Sequence, residues 1–398
     1  MTGTLAPFLS PDALLPADAA YFARTDLATT AHLGFTPLNV DAVTTILNGL
    51  LGPRPAVRHI SGATEAILRA LADAGLPVDR DIRTYTTPAE AEARADTLIT
   101  SGFRLLSPYP LPPGRWPDSA QIVQPALYGR LNAKAGLAAL VSPAHLPRRE
   151  VLTPAAARAR PFGGAPLWVK YGGPAATGWG HAVHRVTDAA AWTAALDAIA
   201  ASGDPADPGP LVVEEDVPVT TCWAVQLGIT DAGTAYGGAA EQIFANPGRQ
   251  SGSLVDPDNP FPAPDLAKQI GEAARAAGFR GIAGLDIGQT DTGQIVVFDP
   301  NFRITSSTVQ TLFTPAASRR SGLPVSLSAE IATPRPMADI IARLGGPVAD
   351  GWFLPTRLLD AALLPAAGGR SRVTGFTLGR DRLAAAAAQD RLRAILLP

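Results

Sequence analysis

Cysteine is nearly missing from this chain: Cys222 is the only one in 398 residues, so no disulfide and no thiolate metal cluster can form within one copy. A reducing cytoplasm is the expected setting. No run approaches the roughly 20 apolar residues that span a bilayer, and no basic stretch followed by an apolar one opens the chain, so it reads as soluble and unexported. Basic runs are scarce and the formal net charge is −2, which argues against nucleic-acid and membrane-surface partners and leaves small anionic ligands open. Lysine is the scarcest cation, present only as Lys134, Lys170 and Lys268 in a chain rich in Ala, Pro, Gly and Arg. Where any cation serves, such a chain uses Arg, so a retained lysine marks a place that wants a compact ammonium.

Other signatures are absent. No Gly-Lys-Ser/Thr ending makes a P-loop, no G-x-G-x-x-G follows an early strand, and no G-x-S-x-G elbow offers a serine nucleophile. His181 and His184, three apart on a strand, face opposite ways and do not suggest zinc; Cys222 sits in an apolar strand and reads as packing. The tryptophans are scattered and offer no stacking platform for single-stranded nucleic acid.

The length predicts two to four packed units. Helices are expected over 64–74, 88–99, 189–201, 265–277 and 381–397, with a helix-like segment from Leu127 carrying Lys134. A Pro- and Gly-rich boundary falls at 108–117. Strands are expected at 166–170 and 182–186, around a glycine-rich loop at 172–180, and at 211–215. Asp231-Ala232-Gly233 marks a hairpin, and 246–264 reads as a loop by its Pro, Gly, Asn and Asp.

The most informative stretch is 281–303. Runs at 282–287 and 295–299 flank Asp291-Thr292-Gly293, a turn between antiparallel strands, and simple pairing about it sets Asp286 opposite Asp299. Alternation then puts Asp299, Asn301 and Arg303 on one face and Val296, Phe298 and Phe302 on the other, with Ala283, Leu285 and Ile287 completing the apolar face. Two carboxylates about 5 Å apart repel unless a cation or proton lies between them. Two Asp and one Asn are a donor set that Mg²⁺ accepts. The alternative is a pair of solvated aspartates on an exposed hairpin.

The ordered series of Lys134 in LNAK, Lys170 in LWVKYGGPAATGWG, Glu214 and Glu215 in LVVEEDV, Asp286 in GLDIG and Asp299 to Arg303 in FDPNFR resembles the ATP-grasp carboxylate–amine ligases. DPNFRITSS and the α/β segment ahead of it are similar to the bacterial peptide and natural-product amide ligases. The resemblance implies a mixed α/β and α+β fold: a pre-ATP-grasp α/β domain over 1–125, a small lid over 126–210, a larger metal-bearing subdomain over 211–335 and an α/β appendage over 336–398.

It also implies ATP and one or two Mg²⁺ ions, an acyl-phosphate intermediate, and release of ADP and phosphate as an amide forms. Carried over, Lys134 and Lys170 contact phosphates, Gly178 and Gly180 belong to a loop closing over them, and Glu214, Glu215 and Val217 hold adenine, with Thr221 standing in for a ribose-binding acid. Asp286, Asp299 and Asn301 hold metal. Arg303 and Lys170 serve the chemistry, and Arg249, Arg303, Ser306 and Ser307 meet substrate. Substrates are a small carboxylate and an amine, amino acid or peptide, with a carrier protein as another acid source and a homodimer as the default assembly. A kinase on the same fold, which phosphorylates and stops, is the alternative.

Overall fold

The structure is a computed structural model that describes residues 3–22, 50, 54–78, 81–109, 111, 114–174, 182–202, 208–246 and 248–398. Among these, the strands form three sheets. The first contains β1 (Ala19–Tyr21), β2 (Ala56–His59), β3 (Ile82–Tyr85) and β4 (Arg104–Leu106), all parallel in the order β3-β2-β1-β4. Parallel neighbours need crossovers, and helices Glu65–Asp73 and Pro88–Thr100 supply two of them. Each starts where the sequence predicts, because the Thr64 and Thr87 hydroxyls accept the first free N–H groups, from Ile67 and Glu90. The sheet's carboxyl edge, where Tyr21 ends β1, faces the rest of the molecule.

The second sheet is antiparallel, in the order β5-β8-β6-β7: β5 (Arg149–Leu152), β6 (Leu167–Tyr171), β7 (Val183–Val186) and β8 (Leu211–Glu215). Val169, Leu211 and Val213 alternate inward and bury against Trp192, Leu196 and Ile199 of helix Ala189–Ser202. Lys134 does not lie within a continuous helix. Helix Pro125–Asn132 ends at Ala133, and Lys134 opens a 3₁₀ segment running to Ala139.

The third sheet has eight strands in the order β13-β12-β9-β10-β11-β14-β16-β15. They are β9 (Val219–Thr230), β10 (Gly233–Asn246), β11 (Arg249–Val255), β12 (Gly281–Thr290), β13 (Ile295–Asn301), β14 (Val325–Thr333), β15 (Phe353–Leu359) and β16 (Ser371–Gly379). The stretch 246–264 is thus not all loop. Its backbone pairs with β10 on one side and β14 on the other, which composition did not signal. Strands β15 and β16 end this same sheet, so 336–398 is continuous with it. Among the described residues no helix is long and apolar enough to cross a membrane.

The β12–β13 hairpin closes through a three-residue turn with Gly293 at φ 84°, where a side chain would be strained, and Thr290 N–H donates to the Gln294 carbonyl at 3.0 Å. Pairing from this turn matches Ile287 with Val297, yet Asp286 with Asp299. The extra residue is Phe298, a β-bulge. It corrects the simple alternation: Val297, not Phe298, fills the core beside Phe302, while Phe298 turns into the cleft. Without the bulge Asp286 would face Phe298.

Candidate active site

A cleft of about 720 Å³ runs between the second and third sheets and reaches the carboxyl edge of the first. Its floor carries Asp286 and Asp299, opposite one another on paired strands. Glycines on both sides of Asp286 make room. A Cβ on Gly284 would lie 2.8 Å from Thr305 Cγ2, and one on Gly288 would lie 2.6 Å from the bulged Phe298 ring. Gln242 Nε2 donates to Asp286 Oδ1 at 3.0 Å, and Asn301 Nδ2 to Asp286 Oδ2 at 3.4 Å. Burial, and then the charge of Asp299, push the Asp286 carboxyl up to about 7, against the pull of Lys134, Arg303 and Lys170. Asp299 accepts from the Lys134 ammonium through Oδ2, while its Oδ1 is buried with no hydrogen-bond partner.

This donor set fits a hard divalent cation. An unsatisfied buried oxygen costs on the order of 1–3 kcal/mol, and a neighbouring carboxylate adds repulsion; one cation relieves both. No group of three His, Cys, Asp or Glu among the described residues could hold a metal, so Asn301 is the third protein oxygen available beside the two aspartates. Mg²⁺ suits so sparse a set, because it keeps waters and substrate phosphates as its other ligands.

Lys134 and Lys170 enter from the opposite wall. Lys170, on β6, pairs with the Glu214 carboxylate of β8, and its Nζ donates to the Phe298 carbonyl at 3.4 Å. Arg149 Nη2 lies 3.5 Å from Glu214 Oε1 and also donates to the Lys134 carbonyl. Both lysine side chains therefore reach the aspartates' end of the cleft, each fixed by a carboxylate.

Other expected residues land differently. Glu214 holds Lys170 from behind the cleft wall, and Glu215 is occupied by Arg148, whose backbone N–H and Nε lie 2.9 and 2.7 Å away and hold its carboxyl below the usual range. The cleft wall there is Asp216, Val217 and Pro218. Thr221 does not reach the cleft: Cys222, Ala224 and Gln226 face it, and Thr221 alternates to the other side. Arg249 is exposed at the start of β11 and does not line the cleft either. Gly178 and Gly180, with His181, lie outside the described residues. Ser306 and Ser307 both line the cleft, but Ser307 is only 2% exposed and takes a hydrogen bond from Gln226 Nε2 at 3.3 Å, which fixes the turn after β13.

Arg303 donates to Asn301 Oδ1 at 2.7 Å and lies 5.1 Å from the Tyr109 ring centroid, so one residue links the aspartate pair's end of the cleft to the far wall. Several cleft residues carry no motif. Asp216 accepts from Trp168 Nε1 at 2.7 Å and Arg185 Nε at 2.8 Å, immediately after the two glutamates that drew notice. Tyr21, Tyr109, Gln242 and Arg357 come from distant segments, and nothing local singles them out.

The sequence family described as "L-aspartate--L-methionine ligase N-terminal domain" matches residues 10–129, and "L-aspartate--L-methionine ligase, ATP grasp" matches residues 147–301. No curated protein matches the chain. Among solved structures, L-amino acid ligase from Bacillus licheniformis is similar at a TM-score of 0.53 and 12% identity, over 95% of this chain and 97% of that one. N5-carboxyaminoimidazole synthetase from Staphylococcus aureus, complexed with ADP, is similar at a TM-score of 0.53 and 10% identity, over 96% and 98%. At such identities the likeness speaks for the fold, an ATP-grasp fold behind an N-terminal domain. With the matched families and the ordered motifs, it follows that the chain belongs to the ATP-grasp carboxylate–amine ligases, ATP-dependent enzymes that join carbon to nitrogen.

Proposed function

We propose that this enzyme phosphorylates the carboxylate of one amino acid with ATP and couples the acyl phosphate to the amine of a second, releasing ADP and phosphate. The observation that carries the reading is Asp286 standing opposite Asp299 with Lys134 of the other wall on Asp299. Asp286, Asp299 and Asn301 would hold Mg²⁺, one ion or two, which neutralises the phosphate oxygens and polarises the transferred phosphoryl group. Lys134 and Lys170 bind the phosphates from above, and Val217 with Asp216 borders the nucleotide's other end.

Arg303 stabilises charge where it develops. Its fork is fixed by Asn301 and its plane rests over Tyr109, so it presents cationic N–H groups to the acyl phosphate and then to the tetrahedral adduct. The protein's part is positioning and fixed electrostatics rather than covalent chemistry. Aspartate as acid and methionine as amine are the first pair to try, since the matched families carry those names. Assembly of a small peptide or peptide-like natural product is the setting that fits.

The test measures ADP and free phosphate with aspartate alone, methionine alone, both together, and pools of other amino acids. Phosphate release requiring an acid and an amine together supports ligation. ADP formation with the phosphate retained on a stable product would point to the kinase alternative instead.

A further inference from the structure

The two lysines that enter the cleft are joined from behind by a residue that does not line it. Register places Arg149 of β5 directly opposite Glu214 of β8, and Glu214 opposite Trp168 of β6. Side chains alternate along a strand, so Arg149, Glu214, Trp168 and Lys170 share one face of the second sheet, while Val169, Leu211 and Val213 pack against the helix on the other. Trp168 and Lys170 line the cleft, and Arg149 lies beyond them with its side chain 9% exposed.

Arg149 reaches both lysines through one nitrogen. Its Nη2 lies 3.5 Å from Glu214 Oε1, an oxygen with no hydrogen-bond partner among the described residues, while Glu214 Oε2 pairs with Lys170. The same Nη2 donates to the Lys134 carbonyl. The N–H of that peptide group, on Ala135, donates to the Gly172 carbonyl at 3.1 Å, so the peptide after Lys134 is held at both ends. Arg149 Nε and Nη1 are buried and have no hydrogen-bond partner among the described residues, a cost to stability that an apolar side chain here would avoid. One buried carboxylate, Glu214, therefore serves two basic side chains. An arginine keeps its charge at any working pH.

We infer that Arg149 is a positioning residue for phosphate binding: by sharing Glu214 it leaves Lys170 free to meet a phosphate, and by holding the Lys134 peptide it sets the second lysine in place. This rests on the phosphate role proposed for the two lysines and names what holds them. Without Arg149, Glu214 would turn wholly to Lys170 and offset its charge where the incoming phosphate needs it.

The test measures Mg·ADP binding by calorimetry, and KM for ATP and for aspartate, the donor acid, by phosphate release with methionine as amine. The proteins compared are the wild type, Lys170→Met, Glu214→Gln, Arg149→Met, Arg149→Lys and the double variant Arg149→Met with Glu214→Gln. Arg149→Met should raise Kd for Mg·ADP and KM for ATP on the order of 10-fold and leave KM for aspartate within about 2-fold. Arg149→Lys should recover most of that loss. The double variant should bind Mg·ADP more tightly than Arg149→Met alone, because removing the carboxylate releases Lys170; a residue that only packs β5 on β8 would give two losses that add. Mg·ADP binding by Arg149→Met within about 2-fold of the wild type overturns the inference, as does a double variant that binds more weakly than Arg149→Met. If Arg149→Met does not fold, the Glu214→Gln background decides: there the loss of Arg149 should cost at most about 3-fold, and a 10-fold loss overturns the inference. Unchanged Mg·ADP binding by Lys170→Met overturns the phosphate role of the lysines as well, whereas weakened binding by Lys170→Met with none by Arg149→Met overturns this inference alone.

Discussion

The two ends of the cleft are built in opposite ways. The end proposed to hold metal, the metal end, comes from one hairpin: Asp286, Asp299, Asn301 and Arg303 lie within 18 residues of sequence and are aligned by a turn and a bulge. The far end gathers Tyr21, Tyr109, Ser306 and Arg357 from four separate parts of the chain. A local construction sets charge against charge at fixed spacing, which suits phosphoryl chemistry common to many substrates. An assembled one can change a single wall without moving the chemistry, which suits selection of the substrate. Substitutions at the first should therefore act on turnover, and at the second on donor KM.

The largest effect is expected from Asp299→Asn. It keeps the shape but removes the charge that Lys134 meets and that the proposed Mg²⁺ would share, and ADP release should fall at least about 10³-fold at saturating substrates. A variant that raised only donor KM would dissolve the distinction between the two ends. Next comes Lys170→Met, expected to cut kcat/KM for ATP on the order of 100-fold. It also strands Glu214, whose side chain is 1% exposed, at a cost of about 3 kcal/mol, the low side of the range because Arg149 stays 3.5 Å away. Adding Glu214→Gln should restore stability in urea unfolding without restoring activity. Recovery of both would mean that Lys170 serves the lid and not the phosphates.

What could be read in the sequence follows the same division. The hairpin was legible because turn chemistry and period-two alternation are local, but counting from the turn reaches the pair 286–299 only because a bulge at Phe298 shifts the register by one. Phe298 escaped because a bulge leaves no compositional mark. Strand β11 escaped because its Arg-Gln-Ser-Gly-Ser run reads as loop until two neighbours satisfy its backbone. Glu214 was noticed for the right position and a different contact: a buried lysine needs a carboxylate, and which one is a tertiary fact. Arg357 had no signal, since in a chain that uses Arg freely one more arginine in an apolar strand is not distinctive.

Gly288→Ala tests whether the bulge, and not the aspartate pair alone, sets the metal end. The new methyl would meet the Phe298 ring at 2.6 Å and Val219 Cγ1 at 2.9 Å. Relief requires Phe298 to move, and Asp299 follows it in the chain. A loss of about 1–3 kcal/mol in urea unfolding and a raised KM for ATP are expected. Stability lost with KM unchanged would show that the ring can shift without disturbing Asp299.

The smallest effect concerns Cys222, which faces the cleft on β9 and so looks available to reagents. Burial first, and then the negative charge of Asp286, push its thiol up to about 12, with Lys170 opposing. A raised value means that the folded chain keeps a proton the unfolded chain gives up. Stability from this source is complete below the usual thiol range and is lost as pH rises towards about 12. Near pH 8 the native thiol is almost wholly protonated, so iodoacetamide should label it on the order of 100-fold more slowly than in urea, where the usual thiolate fraction returns. Rapid native labelling at pH 8 would mean that the cleft floor is wetter, and its carboxylates less mutually repelled, than the paired-strand geometry requires.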